Sequence, residues 1–352
     1  MALGGGIAAH FLAQADSCDR LGSPFTARLC RILVEVLDDT TATGARVANW
    51  PGEVRDDAVA LRMCGGLHRL VLEGRDPGLA AVYPPHEAGD AALASAVRAA
   101  IVAHEDALLA NLDSPPQTNE IGRSGMLLPG FLAIARETRL PLALCEIGSS
   151  GGLNLLFDRF AYSYGDLNWG DAASPVRLAP DIRGAPPPLD GTLSVASRDG
   201  CDIAPVDARS QAGRMRLRSY VWPDQPLRHE RLEGAFQLAR EHEYSLAEAD
   251  AASFVAGRLA GRTPGSAFAL FHSIMWQYMP HETRAAITRA MAQAGEAATA
   301  EAPVAHLRME PLELSDPHAT LSLTLWPGGR TRHLARCDYH GRWIEWTGGH
   351  DG

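Results

Sequence analysis

The sequence predicts an α/β protein with a helical N-terminal part, a mainly parallel sheet and an antiparallel hairpin at the C-terminal end. Three observations predict it. Residues 1–139 place apolar side chains at helical spacing. From Leu140 onward, short apolar runs closed by turn residues alternate with helical segments, the pattern of a parallel sheet with crossover helices. The last stretch, "LSLTLWPGGRTRHLARCDYHGRWIEW", holds two or three strand-like runs with a Pro327-Gly328-Gly329 turn between the first two.

Each element has its own signal. Phe25, Leu29, Ile32, Leu33 and Val36 form an apolar stripe after a Ser23-Pro24 start. Val54, Ala58 and Leu61, then Leu67, Leu70 and Val71, predict a helix interrupted at Gly65-Gly66. Val97, Ile101, His104 and Leu108 mark a third helix ending at Ser114-Pro115-Pro116, with His104 expected as a core histidine. A further helix is expected over residues 127–138. "LPLALCEIG" reads as a buried parallel strand, and residues 193–196, 267–272 and 304–309 are of the same kind. Helices are expected over 211–220, 227–242, 251–259 and 283–294. The proline-rich segment 172–190 reads as an inserted loop or small hairpin.

A chain of 352 residues exceeds one ordinary hydrophobic core, so two domains are expected, 1–139 and 140–352, with an insertion at about 160–191. At 46% hydrophobic and 21% charged the composition is that of a folded protein. A net charge of -10 and a pI near 5.7 argue against nucleic acid as a partner. Arg214, Arg216, Arg218, Arg228 and Arg231 lie close together and are expected on a solvated helix face. Six scattered cysteines without a C-x-x-C pair read as reduced thiols, and no metal site is expected. The N-terminal stretch has no basic region before its apolar residues, and no apolar run is long enough to span a bilayer. The expectation is a cytoplasmic protein with a small-molecule substrate and no membrane partner. Oligomeric state has no sequence signal.

"C-E-I-G-S-S-G-G-L-N", residues 145–154, follows the first strand and has two readings. Gly148-Ser149-Ser150-Gly151-Gly152 matches the G-x-S-x-G elbow of serine hydrolases, with Ser150 as nucleophile. That reading needs a histidine and a carboxylate; Asp250 with His272, or Glu310 with His333 or His340, are nominated without a distinguishing signal. Glu146 with Gly148, Ser149, Ser150 and Gly152 also resembles the acidic, glycine-rich loop on which S-adenosylmethionine (SAM) methyltransferases hold their cofactor. A strict G-x-G-x-x-G is absent, which weakens a nicotinamide or flavin reading.

The methyltransferase resemblance continues along the chain in order. "G-C-D-I-A-P" resembles the G-x-D-x-x-P pattern and implies that Asp202 holds the ribose, with Asp199 and Asp207 as alternatives. "Y-S-L-A-E-A-D-A" implies Asp250 and Ala251 beside the adenine. The fourth strand runs into "H-S-I-M-W-Q-Y". Together "NEIGRSG", "EIGSSGGLNLLFDRFAYSYG", "GCDIAPVD", "RLRSYVWPDQ", "SIMWQYM" and "LWPGG" are similar to the bacterial domain-of-unknown-function family 2332 over most of the chain. The expected activity is SAM-dependent methyl transfer to a small or medium-sized acceptor on a Rossmann-like domain. A general base, if required, is His272 first and Glu120 second. Asn119, Arg123, Trp276 and Tyr278 are the substrate-side candidates. A serine hydrolase using Ser150 and a non-catalytic SAM or nucleotide sensor are the alternatives.

Overall fold

The computed structural model describes residues 3–351. The helices, in chain order, are α1 (Gly5–Arg20), α2 (Pro24–Val36), α3 (Ala42–Ala48), α4 (Val59–Leu72), α5 (Pro77–Ala80) and α6 (Asp90–Ala103). They continue with α7 (Glu105–Leu112), α8 (Ser124–Thr138), α9 (Gln211–Ser219), α10 (Pro226–Glu241), α11 (Ala251–Ala260) and α12 (His281–Glu296). The strands are β1 (Leu142–Ile147), β2 (Ala161–Tyr164), β3 (Leu167–Trp169), β4 (Arg177–Leu178), β5 (Asp181–Arg183) and β6 (Val195–Asp202). After them come β7 (Ser245–Glu248), β8 (Ala267–Ser273), β9 (Val304–Glu310), β10 (Ala319–Trp326), β11 (Arg330–Cys337) and β12 (Trp343–Asp351).

Packing divides the chain into two units. One is Met1–Thr118 with Gln211–His229; the other is Asn119–Ser210 with Glu230–Gly352. The division is therefore drawn elsewhere than at 139/140. Helix α8 belongs with the sheet, because its Phe131 stacks on Phe157 at 4.0 Å and meets Phe271 of β8 edge-on at 5.0 Å.

In the helical unit, Phe11, Leu29, Leu33, Met63, Leu67, Leu108 and Trp222 share one buried core. Ser23 caps α2 by accepting from the Thr26 N–H, with Pro24 at the first helical position. The Asp224 carboxylate also accepts from the Phe25 N–H at 2.9 Å, which ties the Trp222–Gln225 turn to that start. Two expectations need correction. Helix α4 runs unbroken through Gly65-Gly66, because those glycines are required by packing rather than by a bend. The helix expected across His104 is two helices, α6 and α7, which meet at that residue (φ -128°, ψ 32°). His104 is half-buried, with its Nε2 3.2 Å from Asp76.

The sheet unit contains a nine-stranded sheet in the order β5-β12-β11-β10-β9-β8-β1-β6-β7. Five strands, β7-β6-β1-β8-β9, are parallel and give the doubly wound order, with the direction of winding reversing between β1 and β8. Both faces of its central strands β1, β8 and β9 are buried, as continuous apolar strands require. Helix α8 covers one face. On the other, Val255 of α11 and Ile287 and Met291 of α12 pack against Cys145, Ile147 and Leu270. Strands β9 to β12 form an antiparallel meander. The hairpin does not close the edge as expected. The insertion supplies β5, which pairs parallel with β12 and covers its open hydrogen-bonding side. Strands β2, β3 and β4 of the insertion form a separate small sheet.

Candidate functional site

The winding reverses between β1 and β8, so the ligand crevice of an open α/β sheet is expected beyond the carboxyl ends of these strands. The turn after β1 fills its floor. Gly148 (φ 64°) and Gly152 (φ 70°) take left-handed backbone that favours glycine, and Ser150 (φ 54°) does so with a side chain. The turn is laced to the end of β6. The Ser149 N–H donates to Cys201 O at 3.0 Å, and the Ser150 N–H to Asp202 Oδ2 at 2.9 Å. Asp202 Oδ1 accepts from Ala204 N–H at 2.9 Å. Asp202, at the end of β6, therefore fixes the loop through both carboxylate oxygens.

Glu146 is the most unusual group here. Its side chain is buried, and its Oε2 finds no hydrogen-bond partner. Burial first, and then the nearby Asp202 charge, push its carboxyl up to about 8, against the opposing pull of Ser149 and Arg123. Arg123 spans the crevice wall, donating through Nη1 to Ser273 O and through Nε to Tyr339 O, both at 3.1 Å. The Ser150 Oγ is likewise buried without a partner. The space above the glycines is occupied by protein. A Cβ on Gly148 would lie 2.8 Å from Met275, and one on Gly152 2.7 Å from the Tyr244 ring. Tyr244 also donates to Gly151 O at 3.0 Å.

A second polar centre lies at the carboxyl ends of β8 and β9. His272 is 0% exposed, with Nδ1 2.7 Å from Glu310 Oε1 and Nε2 3.1 Å from His306 Nε2. A proton on Nδ1 facing the carboxylate makes Nε2 the acceptor for an N–H of His306. Burial, then the neighbouring His272 and Arg308, hold His306 well below the ordinary histidine range, which keeps it neutral. Glu310 Oε1 also accepts from the Met275 and Trp276 N–H groups at 3.1 and 3.3 Å. Trp276 stacks on His272 with centroids 4.8 Å apart.

The remaining expected residues divide between the crevice and local structural work. Asn119 Oδ1 accepts from Leu153 N–H at 3.0 Å. The Glu120 carboxylate accepts from Gly122 N–H at 3.0 Å. Asp250 caps α11, accepting from Ala252 and Ser253 N–H at 3.0 Å each, and Ala251 is buried behind it. Tyr278 is 73% exposed. Of the two alternative ribose acids, Asp199 pairs with Arg258 at 3.0 Å, and Asp207 accepts from Arg209 N–H in an exposed turn. The hydrolase partners nominated for Ser150 are engaged elsewhere. Asp250 is a helix cap, His272 is bound to Glu310 and His306, and His333 faces Ser322 at 2.9 Å.

Four participants were not nominated for this site: His306, Arg308, Met275 and Tyr244. Glu310, nominated with His333 or His340, meets His272 instead. The signal for three of these residues was present, since "H-L-R-M-E" alternates polar and apolar side chains and so puts His306, Arg308 and Glu310 on one face of β9. Met275 and Tyr244 carry no such signal. Among the described residues no group of histidine, cysteine or carboxylate side chains could hold a metal ion, and no helix is long and apolar enough to cross a membrane.

Strand order and crevice thus define a doubly wound α/β protein with a glycine-rich loop at its switch point. Within that class the chain belongs to the bacterial family described as "Uncharacterized protein conserved in bacteria (DUF2332)", whose model matches residues 8–346. Neither a curated protein nor a solved structure matches the chain.

Proposed function

We propose that this protein binds SAM in the crevice and transfers its methyl group to a small or medium-sized acceptor. The observation that carries the reading is the Glu146 carboxyl, buried and half-unpaired beside a glycine-rich turn at the switch point. An amino-acid ammonium group answers that carboxyl, and Ser150 Oγ supplies a second unpaired polar atom on the same loop. Glu146, Gly148, Ser149, Ser150 and Gly152 would hold the amino-acid end, Asp202 the ribose, and Asp250 with Ala251 the adenine. Met275 and Tyr244 must swing away from the two glycines to admit it.

The cofactor supplies a sulfonium methyl for in-line displacement, so the protein's task is mainly to position the acceptor. Arg123, Asn119, Trp276 and Tyr278 are assigned to that side. Neither His272 nor Glu120 is placed to act as a base. Both ring nitrogens of His272 are bonded within the protein, and Glu120 is occupied at its own turn.

Calorimetric titration with SAM and S-adenosylhomocysteine tests the reading. At pH 7 the cationic ligand is expected to draw the proton off Glu146, so the binding heat varies with the buffer's ionisation enthalpy. Glu146→Gln removes that variation and weakens binding. Folded protein that gives neither heat nor a thermal shift with either compound overturns the cofactor assignment. Binding without turnover across a broad acceptor panel supports the sensor instead.

One observation favours a hydrolase: Ser150 combines left-handed backbone with an unpaired Oγ, as a strained nucleophile elbow does. The missing histidine partner places this reading second. Fluorophosphonate labelling that disappears in Ser150→Ala would establish it.

A further inference from the structure

The helical unit contains its own charged cavity, of about 220 Å³. Arg69, Arg75 and Arg216 line it, together with Glu73, Asn111 and Tyr220. Glu73 faces Arg69 at 2.7 Å and Arg75 at 3.7 Å, so one carboxylate serves two guanidinium groups. Three lining arginines against one lining glutamate leave two positive charges in excess. Of the five clustered arginines expected on a solvated helix face, Arg216 lines this cavity and Arg228 is buried.

Two donors in this wall are unsatisfied. Arg216 spends Nη2 on Pro115 O at 3.1 Å, while its Nε is buried without a hydrogen-bond partner. The hydroxyl of Tyr220, a residue only 7% exposed, lies against the Asn111 side chain and forms no well-aligned hydrogen bond. Native proteins keep few such groups, and each deserves a ligand or another explanation. The wall is also built at some cost. A Cβ on Gly65 would lie 2.6 Å from the Tyr220 ring, and one on Gly66 3.2 Å from Asn111. Helix α4 therefore gives up helix propensity at each glycine to make room for its neighbours.

We infer that this cavity binds a compact oxyanion with two negative charges, either a phosphate group or a short dicarboxylate. The excess charge sets the ligand's sign and magnitude. The volume is below the range of about 300–1,000 Å³ typical of sites for drug-sized ligands, so it suits a compact ligand. Guanidinium forks engage planar or tetrahedral oxyanions in paired charge-assisted hydrogen bonds, and the Tyr220 O–H adds a donor that a chloride-sized ion would not use fully. Arg69 and Arg75 are 42% and 47% exposed, which leaves a route from solvent. The inference is independent of the SAM reading.

Calorimetry on the full chain with inorganic phosphate and, separately, succinate at fixed ionic strength tests it. Saturable one-site binding of phosphate identifies a phosphate-group site, and of succinate a dicarboxylate site. Arg216→Gln is expected to weaken binding roughly tenfold or more, and Tyr220→Phe several-fold, while Arg20→Gln on α1 leaves it unchanged. Tyr220→Phe keeps the ring against Gly65, so it remains informative if Arg216→Gln fails to fold. Folded wild-type protein that binds neither anion, or equal affinity in wild type and Tyr220→Phe, overturns the inference.

Discussion

Glu146 couples the crevice to pH. Its carboxyl holds a proton up to about 8 in the folded chain, against an ordinary value of 4.5 in the unfolded one. Between those values the folded state binds more protons, so this group's contribution to stability is full below pH 4.5 and is lost as pH rises through 8. The span corresponds to an effect on the order of several kcal/mol. Glu146→Gln should flatten that part of the slope and be more stable than wild type at pH 8.5, as chemical denaturation at pH 5.5 and 8.5 would show. Equal slopes in the two proteins would refute the burial account. Glu310, unlike Glu146, has partners, since its Oε1 meets one imidazole and two backbone N–H groups. Glu310→Gln should cost about 1–3 kcal/mol, read from the shift in denaturation midpoint. A cost below about 0.5 kcal/mol would mean the pair is incidental.

At the level of elements, glycine and capping residues separate local preference from packing. Gly→Ala inside a helix ordinarily stabilises by about 1 kcal/mol. In α4 the sign should reverse at Gly65, because the added methyl meets the Tyr220 ring. A thermal melt of Gly65→Ala with a raised midpoint would contradict this packing. Asp250 distinguishes a structural role from a ligand role. As the cap of α11 it contributes about 1 kcal/mol, which Asp250→Ala removes. If Asp250 also contacts the adenine, SAM affinity falls in the same variant; loss of stability with unchanged affinity leaves it a cap alone. The strands β1, β8 and β9 were readable as short apolar runs because both their faces are buried. Strand β5 was not, since three residues carry no usable periodicity and their partner β12 lies far along the chain.

For the whole molecule, the decisive fact is that neither unit is one continuous segment. Gln211–His229 brings Trp222 into the core of the helical unit and Asp224 to the start of α2. Residues 1–118 expressed alone should therefore melt without a cooperative transition, and a fusion that restores residues 211–229 should recover one by circular dichroism. A cooperative melt of the shorter fragment would show that those contacts are dispensable.

Residue order was enough for what depends on near neighbours. It located the strand that precedes the loop, the glycine-rich turn after it, and the acids that end β6 and precede α11. It was enough for an α/β fold with a mainly parallel sheet as well, because strand and helix periods differ and alternate. Folding alone decided which distant side chains meet. Glu310 lies 38 residues from His272, Asp202 lies 52 from Ser150, and Met275 and Tyr244 lie over the glycines. Those pairings follow from the register between strands and from volumes that must be filled, neither of which a local pattern encodes. The glycine-rich turn could thus be found in the chain, while the buried, half-unpaired carboxyl beside it arises only when the sheet closes around Glu146.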